Sequence, residues 1–345
     1  MRDITVCKFG GSSLADASCF RRVRDIIHSD DRRRLIIVSA PGKRQKNDIK
    51  ITDALISACS ADTATRSEAL DSVRSRFCRI AADLGLCPPY DELARLRAYA
   101  RMGRDAIASR GEYLCARMLS EYTGLPFVDS AELFVFRNGT LDTEATYANL
   151  GRLHDPAIIP GFYGADVNGS IVTFPRGGSD ITAAHIAAAI GADLYENWTD
   201  VNGFRTADPA VIPDALHIPH MSFSQARQFA YLGAGVLHYD SIAPAAEAGI
   251  PIVVKNTFDP DAPGTLISCS TNTPLPCTAY VRLGENRYLL SCASQDEASL
   301  QHVISALPCE LPLCIYGGTV SLECEKAHLR KLMRLMHDAA IQSCM

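Results

Sequence analysis

A lysine and a glycine-rich turn stand near the start of the chain, in the stretch KFGGSS from Lys8 to Ser13. The apolar residues before the turn predict a short strand, and residues 15–27 predict a helix. A turn between strand and helix brings backbone N–H groups and a helix N-terminus towards an anion. The pattern therefore favours a phosphate site at Lys8, Gly10 and Gly11, whereas the alternative is a solvated lysine beside two turn glycines.

A second glycine-rich turn, PRGGSD from Pro175 to Asp180, lies between another predicted strand and a predicted helix over 181–190. Ser179 is predicted to cap this helix, so that the first-turn amides and the Arg176 guanidinium face an anion. In the alternative interpretation Asp180 only interacts with the helix dipole. Two such turns in one sheet strengthen the prediction of an anion site.

Polar residues also follow a predicted buried strand, in the stretch ENWTDVNG from Glu196 to Gly203. In open α/β sheets ligands bind beyond the carboxyl ends of the strands, which is where Thr199 and Asp200 stand. An Asx turn before Gly203 is the alternative. Glu112 opens an amphipathic helix, where it either binds a cationic group or interacts with the helix N-terminus.

Strands and helices alternate along most of the chain, which predicts an α/β fold with a mostly parallel open sheet sandwiched by helices. The predicted strands include 35–39, 126–128, 157–159, 170–173, 194–196 and 252–254, and residues 51–122 are helical in pattern. The stretch 268–276 is rich in Ser, Thr, Asn and Pro, as linkers are. Beyond it, residues 277–345 predict a small α+β domain of strand, strand, helix (297–306), hairpin and final helix.

The composition is that of a soluble globular protein with 345 residues, 47% of them apolar, 21% charged, and a net charge of −5. This length suggests two domains, and the negative charge does not favour a nucleic-acid partner. The basic run Arg32 to Arg34 is interpreted as a solvated helix end.

The 13 cysteines form an odd set without a CxxC pair, so neither a disulfide framework nor a zinc site is predicted. Cys7, Cys115, Cys292 and Cys314 lie in apolar segments, where we expect reduced, buried thiols. The first strand leaves no room for a signal peptide, and no apolar run has membrane-spanning length. We therefore expect a soluble cytoplasmic protein without membrane contact.

Together these segments resemble aspartate kinase of the amino acid kinase family. The likeness covers residues 3–268 and rests on motifs in the family's order: KFGGSS at 8, VSAPGKR at 38, KITD at 50, RGE at 110, FPRGGSDITAA at 174, ENWTDVNGF at 196, ADP at 207, GAGVLH at 233 and PGTLI at 263. The resemblance implies an amino acid kinase catalytic domain over 1–270. Its N-lobe, to about residue 165, would bind L-aspartate, and its C-lobe, from about 166, would bind ATP.

The reaction implied is transfer of the ATP γ-phosphoryl group to the side-chain carboxylate of L-aspartate, which gives 4-phospho-L-aspartate for lysine, threonine and methionine biosynthesis. No general base is needed, because that carboxylate carries no proton at neutral pH. Mg²⁺ would be held mainly by the ATP phosphates rather than by protein ligands. Lys8 would neutralise the transferring group, and Asp180 would organise that lysine and the waters of the metal.

The resemblance also assigns binding residues. For the substrate these are Ser39, Glu112 (to the α-ammonium group), Arg176 (to a carboxylate) and Ser179. For the nucleotide they are Lys8, Gly10, Gly11, Ser12, Thr199, Asp200, Phe204, Arg205 and Lys255.

The chain departs from the family where Ala210 replaces an arginine, Gly235 a lysine and Tyr239 a proline. Two cations near the ATP phosphates are thus missing, and we predict that Lys255, or secondly Arg205, takes their place. Two alternatives stay open: a kinase of another acidic amino acid, such as glutamate or an N-acylated amino acid, and a catalytically impaired regulatory paralogue. Arg176 and Glu112 favour a substrate with a free amino group and a carboxylate.

The tail after residue 276 has room for about one ACT-like unit, where the family usually has two. We interpret this unit as a dimerisation or packing module without an effector site, rather than as a lysine or threonine sensor. Unpaired sheet edges in such a unit favour a homodimer.

Overall fold

A computed structural model of the protein describes residues 3–45, 47–175, 177–269 and 273–342. The strands are β1 Thr5–Phe9, β2 Arg33–Val38, β3 Val135–Arg137, β4 Thr140–Leu141, β5 Ala157–Pro160, β6 Tyr163–Asp166, β7 Ile171–Thr173, β8 Leu194–Thr199, β9 His220–Ser222, β10 Ile252–Asn256, β11 Thr265–Ser268, β12 Cys277–Arg282, β13 Arg287–Ala293, β14 Cys314–Tyr316 and β15 Thr319–Glu325. The helices are α1 Ala17–His28, α2 Ile51–Ser60, α3 Thr63–Leu84, α4 Tyr90–Met102, α5 Arg104–Ala108, α6 Arg110–Thr123, α7 Ser130–Leu133, α8 Thr143–Leu150, α9 Gly178–Ile190, α10 Phe223–Tyr231, α11 Tyr239–Glu247, α12 Glu297–Ala306 and α13 Lys326–Gln342, with a short 3₁₀ turn at Ser12–Leu14.

The main sheet has seven strands in the order β5-β2-β1-β8-β10-β11-β9. All neighbouring strands are parallel except β10 and β11. The predicted open, mostly parallel sheet is confirmed. β1 lies in its interior, with Lys8 in register with Ile37 on β2 and with Asn197 on β8.

Helices cover both faces of this sheet, because alternate residues of each strand point to opposite sides. Cys7 and Phe9 pack with α1 to α6 on one face, whereas Val6 packs with α7 to α11 on the other. Lys8 shares the face of Val6. Its side chain therefore emerges beneath α9, at the carboxyl end of the central strand.

Two residues of the basic run, Arg33 and Arg34, begin β2, which corrects the sequence prediction of a solvated helix end, whereas Arg32 is exposed in the turn before the strand. Arg33 is the first residue of β2, and its Nε lies 2.7 Å from Glu196 Oε2. The guanidinium also lies 5.2 Å from the centre of the Trp198 ring. Arg33 balances a carboxylate that would otherwise be buried without a counter-charge.

A second, four-stranded sheet in the order β4-β3-β6-β7 lies over the α9 side of the molecule. Its strands are two to four residues long, and among them only β7 was predicted, over 170–173. In such short segments the alternation of apolar and polar residues carries little signal. The strand predicted at 126–128 is only a single bridge, between Phe127 and Ile158.

The C-terminal unit is an antiparallel sheet in the order β12-β13-β15-β14 with α12 and α13 packed on it, which confirms the predicted α+β, ACT-like unit. The turn between β14 and β15 uses Gly317 and Gly318, at φ of 53° and 73°, as a tight hairpin requires. Cys7, Cys115 and Cys292 are buried as predicted. Cys314 is exposed because β14 is an edge strand.

The C-terminal unit packs against the segment 206–215 of the larger unit. Ala207, Ile212 and Ala215 belong to the same apolar core as α12 and α13. Thr206 Oγ1 lies 2.9 Å from Nε2 of the buried His337. The two units therefore share a core. Over the described residues, none of the helices has both the length and the apolar character needed to span a membrane.

Candidate active site

An ion pair between Lys8 and Asp180 lies at the centre of the carboxyl edge of the sheet. Lys8 Nζ is 2.5 Å from Asp180 Oδ1, and both side chains are largely buried. Lys8 comes from the end of β1, and Asp180 from the first turn of α9 above it. The structure thus joins the two residues that the sequence predicted to be catalytic.

Asn197 fixes the carboxylate of this pair, a role that the sequence analysis did not assign. Its Nδ2 donates a hydrogen bond to Asp180 Oδ1 at 2.9 Å. Asn197 is buried on the same face of β8 on which Lys8 lies on β1. The available signal was an amide directly before Trp198, at the end of a predicted buried strand, because a buried amide needs a partner.

The Gly10–Gly11 turn packs closely against the loop that follows β2. A Cβ on Gly11 would lie 2.8 Å from the Ala40 carbonyl oxygen, and one on Gly42 would lie 2.5 Å from the Gly11 carbonyl carbon. The Gly42 amide donates to the Gly11 carbonyl at 2.7 Å. The Gly10 amide donates to the Trp198 carbonyl at 3.0 Å, so it is not free to bind phosphate as the sequence suggested.

Arg76, a buried residue of α3, holds the same two loops together. Its Nη2 donates to the carbonyls of Ala15 and Gly42, both at 2.7 Å, and its Nη1 lies 2.7 Å from Asp48 Oδ2. One guanidinium therefore joins the start of α1 to the loop after β2. Sequence reasoning missed this residue, because an arginine in a long helix has no motif of its own.

Glu112, in the first turn of α6, is a buried carboxylate with an unsatisfied oxygen. Only 5% of the residue is exposed, and Oε2 has no hydrogen-bond partner among the residues that the structure describes. Burial raises the pKa of this carboxyl to about 8, although the Ala40 amide and Arg110 favour its charged form. A carboxylate held in this way is suited to a cationic group of a ligand.

Ser179 lies inside the first turn of α9 and does not cap it, which corrects the sequence prediction. The N-cap is Gly177, at φ 77°, and no side chain in the described part of the chain caps this helix. Ser179 contacts Gly161, where an added Cβ would lie 2.6 Å from the Ser179 Cβ. The Gly161 amide donates to the Val38 carbonyl at 2.9 Å, so Ser179 lies close to the strand end that carries Ser39. Arg176 lies outside the described residues.

A cavity of about 660 Å³ opens beside the carboxyl end of β8. Three of the residues predicted to bind nucleotide, Asp200, Phe204 and Arg205, lie in its wall. The volume is within the usual range for small-molecule and cofactor sites. Arg205 is also fixed by donation from Nη1 to the Ala215 carbonyl at 2.8 Å.

Lys255 and Thr199 do not line this cavity. Lys255 is in register with Trp198, and its Nζ lies 5.1 Å from the centre of that ring, on the sheet face opposite Lys8. Thr199 donates its hydroxyl to Asp200 at 3.2 Å. Of the two cations proposed as substitutes, the structure therefore places Arg205, not Lys255, at the cleft.

A second, more open cavity of about 600 Å³ reaches Asp180 and shares Gly235 and Val236 with the first. The two cavities thus form one cleft that runs from the Lys8–Asp180 pair to Arg205. Gly235, where the family usually has lysine, lies at their junction. Among the described residues other than its chain neighbours, the nearest atom to a Cβ added there is the Gly233 carbonyl oxygen at 4.0 Å, so the position is open.

The sequence of this chain is similar to those of known aspartokinases. A sequence profile of the Amino acid kinase family matches residues 3–256. Aspartokinase 3 of Bacillus subtilis is 31% identical, over 96% of this chain and 82% of that protein. Three plant relatives are longer, and the chain spans 56 to 59% of their lengths.

The fold is also similar to solved structures of aspartate kinases. The aspartate kinase of Clostridium acetobutylicum superposes with a TM-score of 0.81 at 28% identity, over 98% of this chain and 99% of that one. E. coli aspartokinase III, solved in complex with aspartate and ADP, gives a TM-score of 0.73 at 26% identity, over 94% of this chain and 79% of that one.

Proposed function

The chain belongs to the aspartokinases of the amino acid kinase family, and we propose that it transfers the γ-phosphoryl group of ATP to the side-chain carboxylate of L-aspartate. The product is 4-phospho-L-aspartate, and the enzyme class is a phosphotransferase with a carboxyl group as acceptor. The observation that carries the proposal is the buried Lys8–Asp180 pair at one end of the cleft, together with the buried Glu112 carboxyl beside the Ala40 segment that packs on the Gly11 turn.

Lys8 would lower the main barrier of this reaction, which is the electrostatic repulsion between two anions that approach each other. A fixed cation at the transfer point stabilises the negative charge that the γ-phosphoryl group and the acceptor carboxylate bring together. Asp180 and Asn197 hold the ammonium in place before substrates arrive, so no reorganisation is needed during the reaction. This pair therefore acts by position and charge, and not by proton transfer.

Glu112 would select the amino acid by receiving its α-ammonium group. The unsatisfied Oε2 gains a charged partner when that group binds, which removes the cost of leaving a buried carboxylate unpaired. Ser39 and Ser179 are proposed to contact the carboxylate end, together with Arg176. N-acylated amino acids lack the cation that Glu112 requires, so this carboxylate favours a free amino acid.

We propose that the nucleotide lies in the cleft from Gly11 and Ser12 to Asp200, Phe204 and Arg205, with Mg²⁺ carried mainly by its phosphates. Asp180, the carboxylate paired with Lys8, would order waters of that metal. We further propose that the protein is a homodimer, since β14 leaves an exposed sheet edge on the C-terminal unit. We also propose that it is cytoplasmic.

The direct test is formation of aspartyl hydroxamate by the purified chain with Mg²⁺-ATP, L-aspartate and hydroxylamine. We expect product with L-aspartate, and none with N-acetyl-aspartate, which keeps both carboxylates but lacks the ammonium group. Product with glutamate alone would replace the proposed substrate. Absence of product with every amino acid, despite nucleotide binding, would instead indicate an impaired regulatory paralogue.

A further inference from the structure

His238, the last residue of the motif GAGVLH, lies in the wall of the more open cavity, together with Asp180 and Gly235. Its ring covers the turn before α9. A Cβ added to Gly177 would lie 2.3 Å from the His238 Cγ and 2.8 Å from its Cδ2. The imidazole therefore lies beside the turn that leads to Asp180.

The two ring nitrogens of His238 have different surroundings. Nδ1 accepts a hydrogen bond from the Asp240 amide at 3.4 Å, by which His238 caps α11. The Asp240 carboxylate also lies on the Nδ1 side of the ring, at 3.8 Å. A nitrogen that accepts a hydrogen bond carries no proton, so the proton of the neutral ring lies on Nε2. This arrangement makes Nε2 an N–H donor.

Nε2 is accessible to a ligand. Over the described residues it has no hydrogen-bond partner, yet it does not belong to the buried polar atoms that lack one. The side chain is 32% exposed. Because the cap and the contact with Gly177 hold the ring in place, a ligand in the cavity would meet a donor in a fixed position.

The position of His238 in the cleft indicates which part of a nucleotide it meets. Transfer at the Lys8–Asp180 pair requires the terminal phosphate near Asp180, and the nucleotide cleft continues past Gly235. The phosphates between Asp180 and Gly235 therefore pass the wall that contains His238. A hydrogen bond from an N–H group to an anionic phosphate oxygen is stronger than one between neutral groups.

We propose that His238 is a phosphate-binding residue, whose Nε2–H donates a hydrogen bond to an oxygen of the terminal phosphates of the nucleotide. This inference rests on the proposed function for the path of the nucleotide. It supplies a donor three residues from Gly235, the position at which the family usually has lysine.

The test uses two substitutions that separate the capping role of the ring from its Nε2 donor. His238→Asn keeps an acceptor near Nδ1, and asparagine is a favoured N-cap residue, but it has no group at the position of Nε2. His238→Gln is a poor cap but places an amide N–H near that position. Binding of Mg²⁺-ATP and of inorganic tripolyphosphate to the full chain is measured by calorimetry without aspartate.

We expect the asparagine variant to bind both ligands about three- to tenfold more weakly, and the glutamine variant to bind them almost normally. The ligand-free asparagine variant should melt at the temperature of the wild type, because its cap is kept. The glutamine variant should melt at a lower temperature. Binding would then follow the Nε2 donor and not the stability of the fold.

Normal tripolyphosphate binding by the asparagine variant, or weaker binding by the glutamine variant than by the asparagine variant, would overturn the proposal. Loss of ATP binding alone would also overturn it, since the contact would then be to the nucleoside. If His238→Asn does not fold, His238→Ser, which also provides a cap, takes its place in the comparison.

Because binding is read without aspartate, this test is independent of the hydroxamate assay. A wild type that makes no hydroxamate but binds tripolyphosphate through His238 would refute the proposed function and leave this inference standing.

Discussion

The two ends of the cleft are built differently. At the transfer end, Lys8 is 8% exposed and paired with Asp180, and Glu112 is 5% exposed and accepts a hydrogen bond from the Ala40 amide. At the nucleotide end, Asp200 is exposed, and Gly235 offers neither charge nor side chain. Charges act most strongly where water is excluded, so the transfer end is suited to discriminate by charge. The charged residues of the nucleotide end, Asp200 and Arg205, are more exposed than Lys8 and Glu112, and this is the end at which the resemblance to the family lacks two cations.

Removing the central cation should have the largest effect. We expect Lys8→Ala to lower kcat at least about 10³-fold, because a fixed charge at the transfer point is lost. The matched control is Lys255→Ala, which removes a lysine on the other sheet face and should change kcat and the KM for ATP only a few-fold.

Steady-state kinetics on both variants check this contrast, with circular dichroism to confirm folding. A Lys8→Ala variant with a tenth of the wild-type activity would contradict the central role of Lys8. A sharp loss in Lys255→Ala would restore the sequence-based prediction that Lys255 replaces the missing phosphate cations.

Neutralising the Glu112 carboxylate should affect the binding of aspartate but not of ATP. We expect Glu112→Gln to raise the KM for aspartate about 10- to 100-fold, since a buried charged hydrogen bond is lost, with little change in the KM for ATP. Glu92→Gln is the control, because Glu92 is equally buried but already bonded to Arg95 and Tyr99. Equal effects of both variants on the KM for aspartate would show that Glu112 acts only through stability.

The raised pKa of Glu112 gives the transfer end a pH dependence. With a pKa of about 8 in the free protein, the carboxyl is protonated at pH 7 and must lose its proton before it can bind an ammonium group. The KM for aspartate should therefore fall as pH rises from 6 to 8, by up to about tenfold per unit, and level off above 8. Kinetics between pH 6 and 9 test this, and the slope should vanish in Glu112→Gln.

Restoring a cation at the nucleotide end should have the smallest effect. The space at Gly235 admits a side chain, so we expect Gly235→Lys to lower the KM for ATP about two- to fivefold without changing the KM for aspartate. Gly235→Met controls for the added apolar chain. An unchanged KM for ATP in the lysine variant would show that shape alone governs this end.

The sequence allowed prediction of those parts of the fold that have long, regular patterns. Apolar runs such as 35–39 and 252–254 are interior strands as predicted. α12 has the predicted bounds, and Asp296 caps its first turn. The short strands β3, β4 and β6 were missed, since two to four residues carry no clear periodicity.

Lys8 and Asp180 could be predicted as site residues because each lies in a glycine-rich motif between a strand and a helix. The sheet face on which a side chain lies could not be predicted, because it depends on the register between strands that are distant along the chain. Trp198 and Lys255 are 57 positions apart along the chain, and only their pairing across β8 and β10 directs Lys255 away from the cleft. The same holds for Arg76, whose partners come from two loops far from it along the chain.

The unbroken main sheet also limits how substrates can enter. β1 and β8 pair at five positions in the middle of the sheet. A hinge motion that separates the β1 side of the sheet from the β8 side would therefore break this ladder of backbone hydrogen bonds. Adjustment to ligands must therefore occur in the loops at the carboxyl edge, and hydrogen exchange should be fast there and slow in β1 and β8. The sheet is thus the rigid part of the molecule, and the loops at its carboxyl edge are the part that can adapt to ligands.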